Sequence, residues 1–247
     1  MSERLVLGIQ PVRELCRTPA AGSARVLLDR AGGPALGALA RFAAGCGARV
    51  ERIPRAELDR LASGVAHQGV AAWAPPLRVG SAQDVEPGRD APLVVLDGIT
   101  DPQNFGATIR SAVALGSGSV LWAEHASAPL SPATFRASAG AVEHARLLRA
   151  RSLRAALSAL GERGWLTVAL QSDAPGELAS VDLRGPVAIV VGAEHRGISR
   201  AVRRACRLEA RLAMRGRLGS LNASVAAALA LYEIRRQEAH RPAGLVP

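Results

Sequence analysis

Four runs in the second half of the chain constrain its fold most: LVVLD at 93–97, SVLWA at 119–123, WLTVAL at 165–170 and VAIVVG at 187–192. Each is short and apolar, and helical periodicity at 107–115, 132–140 and 153–161 separates them. VAIVVG has no polar face, as expected of a strand covered by helices on both sides. Strand–helix alternation of this kind predicts an α/β fold built on a parallel sheet, with ligands bound beyond the carboxyl ends of the strands.

The first third predicts a smaller α/β domain. A short helix at 11–16 precedes a strand at 24–28, helical periodicity at 35–46, a strand at 48–53, a helix at 55–61 and a last strand at 70–73. Between the two parts, Pro75, Pro76, Pro87 and Pro92 punctuate a stretch with weak apolar periodicity. It reads as a linker, giving domains at 1–75 and 92–247 with 76–91 between them.

Hydrophobic residues make up 49% of the chain, enough for a proper core and too many for a disordered one. No apolar run approaches the roughly 18 residues that a membrane span needs, and the N-terminus lacks the pattern of a secretion signal, so a soluble, cytoplasmic protein is expected. Against 21 acidic residues stand 31 basic ones, all arginine, for a net charge of +10. A surplus of this size favours a polyanionic partner, RNA or DNA first. Residues 1–80 hold eleven arginines and six acids, so the smaller part is the more densely basic. A chain without lysine has no phosphate-binding lysine loop, which argues against nucleoside triphosphate hydrolysis. Cys16, Cys46 and Cys206 are scattered and odd in number, a pattern of reduced, buried thiols rather than of a metal site or disulfide framework.

Three loops carry candidate chemistry. In LDGITDPQNFGATIR (96–110) a buried strand opens into a polar turn and then a helix. Asn104 offers an amide, Gly106 permits a close backbone approach, and Arg110 projects a fork suited to phosphate. Singly, each has an ordinary reading: an Asp101-Pro102 turn, a cap at Asn104, a solvated Arg110. Together, at a strand end, they point to function. In AIVVGAEHRGI (188–198), Gly192 would leave backbone bare beside a ligand, and Glu194 could accept from hydroxyls or amines. In LAMRGRLGSLNASVAAALALYE (212–233), an arginine–glycine loop gives way to capping groups at Ser220, Asn222 and Ser224, then to an apolar helix reaching about residue 237. Val225, Leu229 and Tyr232 form one stripe of that helix, which calls for cover by its own domain and by a second subunit. His67 and Gln68 are weaker RNA-contact candidates. His125, His144 and His240 have no partner spacing, and no metal cluster or Gly-x-Ser-x-Gly elbow is present.

In this order and spacing, NFGATIR, IVVGAEHRGI and MRGRLGSLNASVAAALALYE resemble the SpoU (TrmH) family of RNA ribose 2′-O-methyltransferases, of the SPOUT class. LGIQPVREL at 7–15 and HQGV at 67–70 are similar to the small substrate-binding domain, resembling a ribosomal-protein fold, of the branch that acts on ribosomal RNA. The resemblance implies a deep trefoil knot through which the third segment threads. It also implies S-adenosylmethionine held in a bent form at Gly192, Leu212 and Leu221, with Met214 and Ser220 close by. Asn104, Arg110, Glu194, Asn222 and Ser224 match the family's polar active-site positions. A homodimer through the last helix is implied, with no metal and no membrane, and with a guanosine in the P loop of 23S ribosomal RNA as substrate. A transfer-RNA or resistance-type ribosomal methyltransferase, and a non-catalytic RNA-binding assembly factor on the same fold, are the alternatives. The chain departs from the pattern at Gln10, where relatives have His or Arg, and in HARLLRARSLRAAL at 144–157.

Overall fold

The computed structural model describes residues 3–125, 127–194 and 196–240. The N-terminal unit runs β1 (Arg4–Leu7), α1 (Ile9–Cys16), β2 (Arg25–Asp29), α2 (Pro34–Gly45), β3 (Arg49–Ile53), α3 (Arg55–Ala62) and β4 (Val70–Ala74). Its sheet has the order β1-β4-β2-β3; β2 and β3 are parallel and the other pairs antiparallel. Val12 and Leu15 of α1 and Leu36 and Leu39 of α2 are buried with Val26 and Leu28 of β2. Leu58 of α3 packs with Leu7, Leu27 and Ala71 in a separate cluster. Successive β2 residues thus serve different cores, as the two-residue strand period requires.

The larger unit runs β5 (Val79–Ser81), α4 (Pro87–Asp90), β6 (Leu93–Asp97), α5 (Pro102–Ala114), β7 (Ser119–Ala123), α6 (Pro132–Ala137), β8 (Arg146–Ala150), α7 (Leu153–Glu162), β9 (Leu166–Leu170), β10 (Val187–Gly192), α8 (Arg200–Arg203), β11 (Leu208–Ala210) and α9 (Ala223–Ala239). Its seven strands are all parallel, in the order β11-β9-β10-β6-β7-β8-β5. Val94, Leu96, Ile189 and Val191 share one core with Ile109 of α5 and Leu231 and Ile234 of α9. Val95, Ala188 and Val190 share the other with Leu157 and Leu160 of α7 and Val202 of α8. The central strands are therefore covered on both faces, which is why their sequences have no polar side. Among the described residues no helix is long and apolar enough to cross a membrane.

Some boundaries differ from the sequence expectation. The stretch read as a linker supplies β5, which pairs with β8 through Val79 and Leu147 and forms one edge of the large sheet. An edge strand needs only a few paired residues, so prolines at the ends of the stretch do not prevent it. Helix α5 starts at Pro102 rather than at 107 because Asp101 caps it, accepting from the backbone N–H groups of Gln103 at 3.0 Å and Asn104 at 3.3 Å. Asn104 is thus not the cap, and its side chain is free for other work. Strand β8 is built from RLLRA, where Leu147 and Leu148 enter opposite cores. Arg146 at its start pairs at 2.8 Å with the buried Asp90, which also accepts from the Ser119 hydroxyl at 2.9 Å and the Glu86 N–H at 2.7 Å.

The two units pack against each other. Arg4 makes a bidentate pair with Glu143 at 2.6 and 2.7 Å, donates to the Pro75 carbonyl at 2.7 Å and lies over the Phe135 ring. Glu14 meets the His144 ring at 2.9 Å. The three cysteines are free. Burial pushes the Cys16 thiol up to about 11 and the Cys206 thiol up to about 12, which keeps both in the unreactive protonated form at neutral pH.

Candidate active site

The site lies at the carboxyl ends of β6, β9 and β10. Strand β10 ends at Gly192, opposite Asp97 of β6. The chain then turns back on itself: the Ala193 N–H donates to the Asp97 carbonyl at 3.1 Å and the Gly197 N–H to the Ala193 carbonyl at 2.7 Å. The Asp97 carboxylate accepts from the Ser199 N–H at 2.7 Å, pinning the far end of the loop to the end of β6. A Cβ on Gly192 would lie 2.1 Å from the Gly197 carbonyl carbon and 2.2 Å from the Ile198 nitrogen. The sequence reading has Gly192 leaving backbone bare beside a ligand, and it does line the cleft described below; the place a Cβ would take is filled by the loop's own backbone.

On α5, a Cβ at Gly106 would meet the Ala137 Cβ and the Thr134 carbonyl at 2.6 Å. Gly106 therefore lets α6 press directly against α5, the close backbone approach expected of it. This fixes the first turn of α5, where Asn104 sits.

Three polar side chains from the three loops converge. The Asn104 amide donates to Glu194 Oε1 at 2.8 Å, and the Asn222 amide donates to the same oxygen and to Asn104 Oδ1, the latter at 2.8 Å. Asn222 also caps α9: its Oδ1 accepts from the Ser224 N–H at 2.9 Å, the Ser224 hydroxyl at 2.6 Å and the Val225 N–H. Capping and site formation are thus one function of Asn222 rather than alternatives. Ser224 holds the Asn222 oxygen, which leaves the Asn222 amide turned toward Glu194. One oxygen of Glu194 thus accepts from two side-chain amides, which fixes its orientation.

Arg110 stands apart from this cluster. It is exposed and makes no hydrogen bond or ion pair among the described residues. Six residues after Asn104, it is rotated about 120° around α5 and lies about 9 Å further along it. Its side chain shares the exposed face with Gln103.

Beside the cluster is a cleft of about 480 Å³, within the range of small-molecule sites. Gly192, Leu212, Met214, Ser220 and Leu221, the positions singled out in the sequence, all line it, together with Ala193 and Glu194. Met214 and Leu221 are 37% and 38% exposed, an apolar lining open to an incoming group. Sequence reading missed the fourth wall, Leu170–Asp173 after β9, where Gln171, Ser172 and Asp173 face the cleft. The only available signal was its place after a strand in a parallel sheet. No group of three or more His, Cys, Asp or Glu side chains among the described residues is arranged to hold a metal ion.

Comparison with known proteins gives a consistent picture. A family model described as the SpoU rRNA Methylase family matches residues 91–232, and one described as RNA 2′-O ribose methyltransferase substrate binding matches residues 5–79. The chain is 38% identical over 239 residues to an uncharacterized tRNA/rRNA methyltransferase of Mycolicibacterium vanbaalenii, covering 94% of this chain and 76% of the relative. A protein of the same description from Mycobacterium ulcerans is 39% identical, with the same coverage. Among solved structures, an RNA 2′-O ribose methyltransferase superposes with a TM-score of 0.79 at 31% identity, over 96% of this chain and 90% of the other. The SpoU methyltransferase AviRb from Streptomyces viridochromogenes, solved in complex with the cofactor AdoMet, gives 0.78 at 25% identity, over 97% and 91%.

Proposed function

The chain belongs to the SpoU rRNA methylase family and is an S-adenosylmethionine-dependent RNA 2′-O-ribose methyltransferase, and from that premise we propose that its target is a guanosine in the P loop of 23S ribosomal RNA. The observation that carries the site assignment is the junction of a glycine-floored cleft of mixed polar and apolar lining with the Asn104–Glu194–Asn222 cluster at the carboxyl ends of the central strands. Gly192, Leu212, Met214, Ser220 and Leu221 would hold the cofactor, which when bound supplies an electrophilic methyl group on a sulfonium centre.

The protein's share of the chemistry is alignment and charge. A ribose hydroxyl is a poor nucleophile at neutral pH, so the residues must hold it in line with the methyl group and stabilise the alkoxide that develops. Arg110, exposed and uncommitted, clamps the phosphate beside the target ribose and faces the developing negative charge. A guanidinium stays protonated throughout the working pH range and is no proton acceptor, so a phosphate oxygen or water takes the proton. Glu194 is held by its two amide donors and orients the ribose hydroxyls; these groups bind each other and do not position Arg110.

Two further parts of the reading concern assembly. The loop at 212–222 leaves β11 at the sheet edge and reaches α9 beside the central strands, which supports a threaded, knotted path. Val225, Leu229 and Tyr232 are 44%, 44% and 60% exposed on one stripe of α9, an apolar face that suits a second copy of the chain. Leu229→Glu is expected to convert dimer to monomer in sedimentation equilibrium; an unchanged mass would remove α9 from the interface.

The target is tested by mapping 2′-O-methylated riboses in total RNA from cells with and without the gene. Loss of one methyl group in the P loop of 23S ribosomal RNA is the expected result. Loss at a transfer-RNA or other ribosomal position would replace the target, and an unchanged map would overturn the proposal. The same reading places the protein in the cytoplasm with its RNA.

A further inference from the structure

The segment at 144–157 carries four arginines that the site just described does not use. Arg146 is spoken for by the buried Asp90. Arg149, Arg151 and Arg154 are exposed and form no ion pair among the described residues. Arg149 and Arg151 line an open groove of about 960 Å³ together with Arg163, Ser81, Gln83 and Glu124. Arg163 is anchored by donating to the Val85 carbonyl. Three guanidinium groups therefore face one carboxylate.

The placement of this groove gives it meaning. All seven strands run the same way, so the mouth of the groove at the ends of β7 and β8, where Glu124, Arg149 and Arg151 lie, opens at the same carboxyl end of the sheet as the cofactor cleft at the ends of β9 and β10. From there the groove runs along α7 to Arg163. β8 is two strands from β6, and β5 three. At about 4.8 Å per strand, the groove begins roughly 10–14 Å from the end of β6. That distance is the length of three or four stacked nucleotides at about 3.4 Å each.

We infer that the Arg149–Arg151–Arg163 groove holds the phosphate backbone of the RNA that flanks the methylated ribose. The inference rests on the reading of the substrate as RNA and adds a second contact surface, within the catalytic unit. Planar guanidinium forks match phosphate oxygens in pairs. The groove is open rather than enclosed, as suits a polymer passing through.

The test uses the full chain carrying Arg149→Ala and Arg151→Ala together, with a control in which Arg200→Ala and Arg204→Ala remove the same charge at α8. Binding is titrated over a salt series with single-stranded oligouridylate and with a transcript of the 23S P loop and its flanks. The groove variant should bind both RNAs about tenfold or more weakly at low salt, and its slope of log affinity against log salt should be shallower by about 0.7 per lost contact. KM for the transcript should rise while kcat and cofactor affinity stay as in the wild type, a split that a folding defect would not produce. An unchanged slope, or an equal change in the control, overturns the inference. If the wild type binds oligouridylate with an arginine-dependent slope but does not methylate the transcript, the groove stands and the proposed target falls. If the wild type binds neither RNA, both fall.

Discussion

Arg110→Ala is expected to lower methyl transfer at saturating RNA by at least about a hundredfold, the scale of losing one preorganised charge donor at a developing oxyanion. Cofactor affinity should not change, because Arg110 is not among the residues lining the cleft. Stability should not change either, since its side chain is exposed and unpaired among the described residues. Single-turnover kinetics with prebound cofactor, set beside calorimetric titration of the cofactor, separates these quantities. Arg110→Lys should recover part of the rate by restoring the charge without the planar fork. Turnover at the wild-type rate in the alanine variant would remove the proposed role.

Gly192→Ala is expected to damage the cleft from below. Its Cβ would need the Gly197–Ile198 backbone to retreat by more than an ångström, and that backbone is tied to Asp97 through Ala193 and Ser199. Overpacking of this kind costs about 1–3 kcal/mol. For a chain of this size the melting temperature should fall by roughly 2–4 °C per kcal/mol. Cofactor affinity should fall at least about tenfold, since the displaced loop forms one wall of the cleft. Gly37→Ala is the control: it lies within α2 with only the tip of Arg41 within 4 Å, so the added methyl group should be neutral or stabilising. Calorimetric scans and cofactor titration of both variants check the pair. An unperturbed Gly192→Ala protein would mean that the loop is softer than its hydrogen bonds suggest.

The buried centre of the fold was the most legible part of the sequence. β6, β7 and β10 fall at the residues where continuous apolar runs place them, because a strand covered on both faces admits no polar side. Of the unforeseen strands, β1, β5 and β11 are only three or four residues long, while β8 is as long as β6 but has an arginine at 146 and another at 149 that break its apolar run. Their pairing is decided by neighbours distant in sequence, such as Asp90 neutralising Arg146. At the site, the lining positions suggested by family resemblance meet in one cleft, and Asn104, Glu194, Asn222 and Ser224 meet in one cluster. Two things were illegible. The Leu170–Asp173 wall has no motif of its own, and the reason for Gly192 is a contact between two turns of the same loop.

Asn222 holds the first turn of α9 with its oxygen and Glu194 with its nitrogen. The helix it begins is 17 residues long, about 25 Å of stiff rod at about 1.5 Å per residue. The helix and the Glu194 carboxylate therefore share one anchor, and a substitution at Asn222 would release both at once.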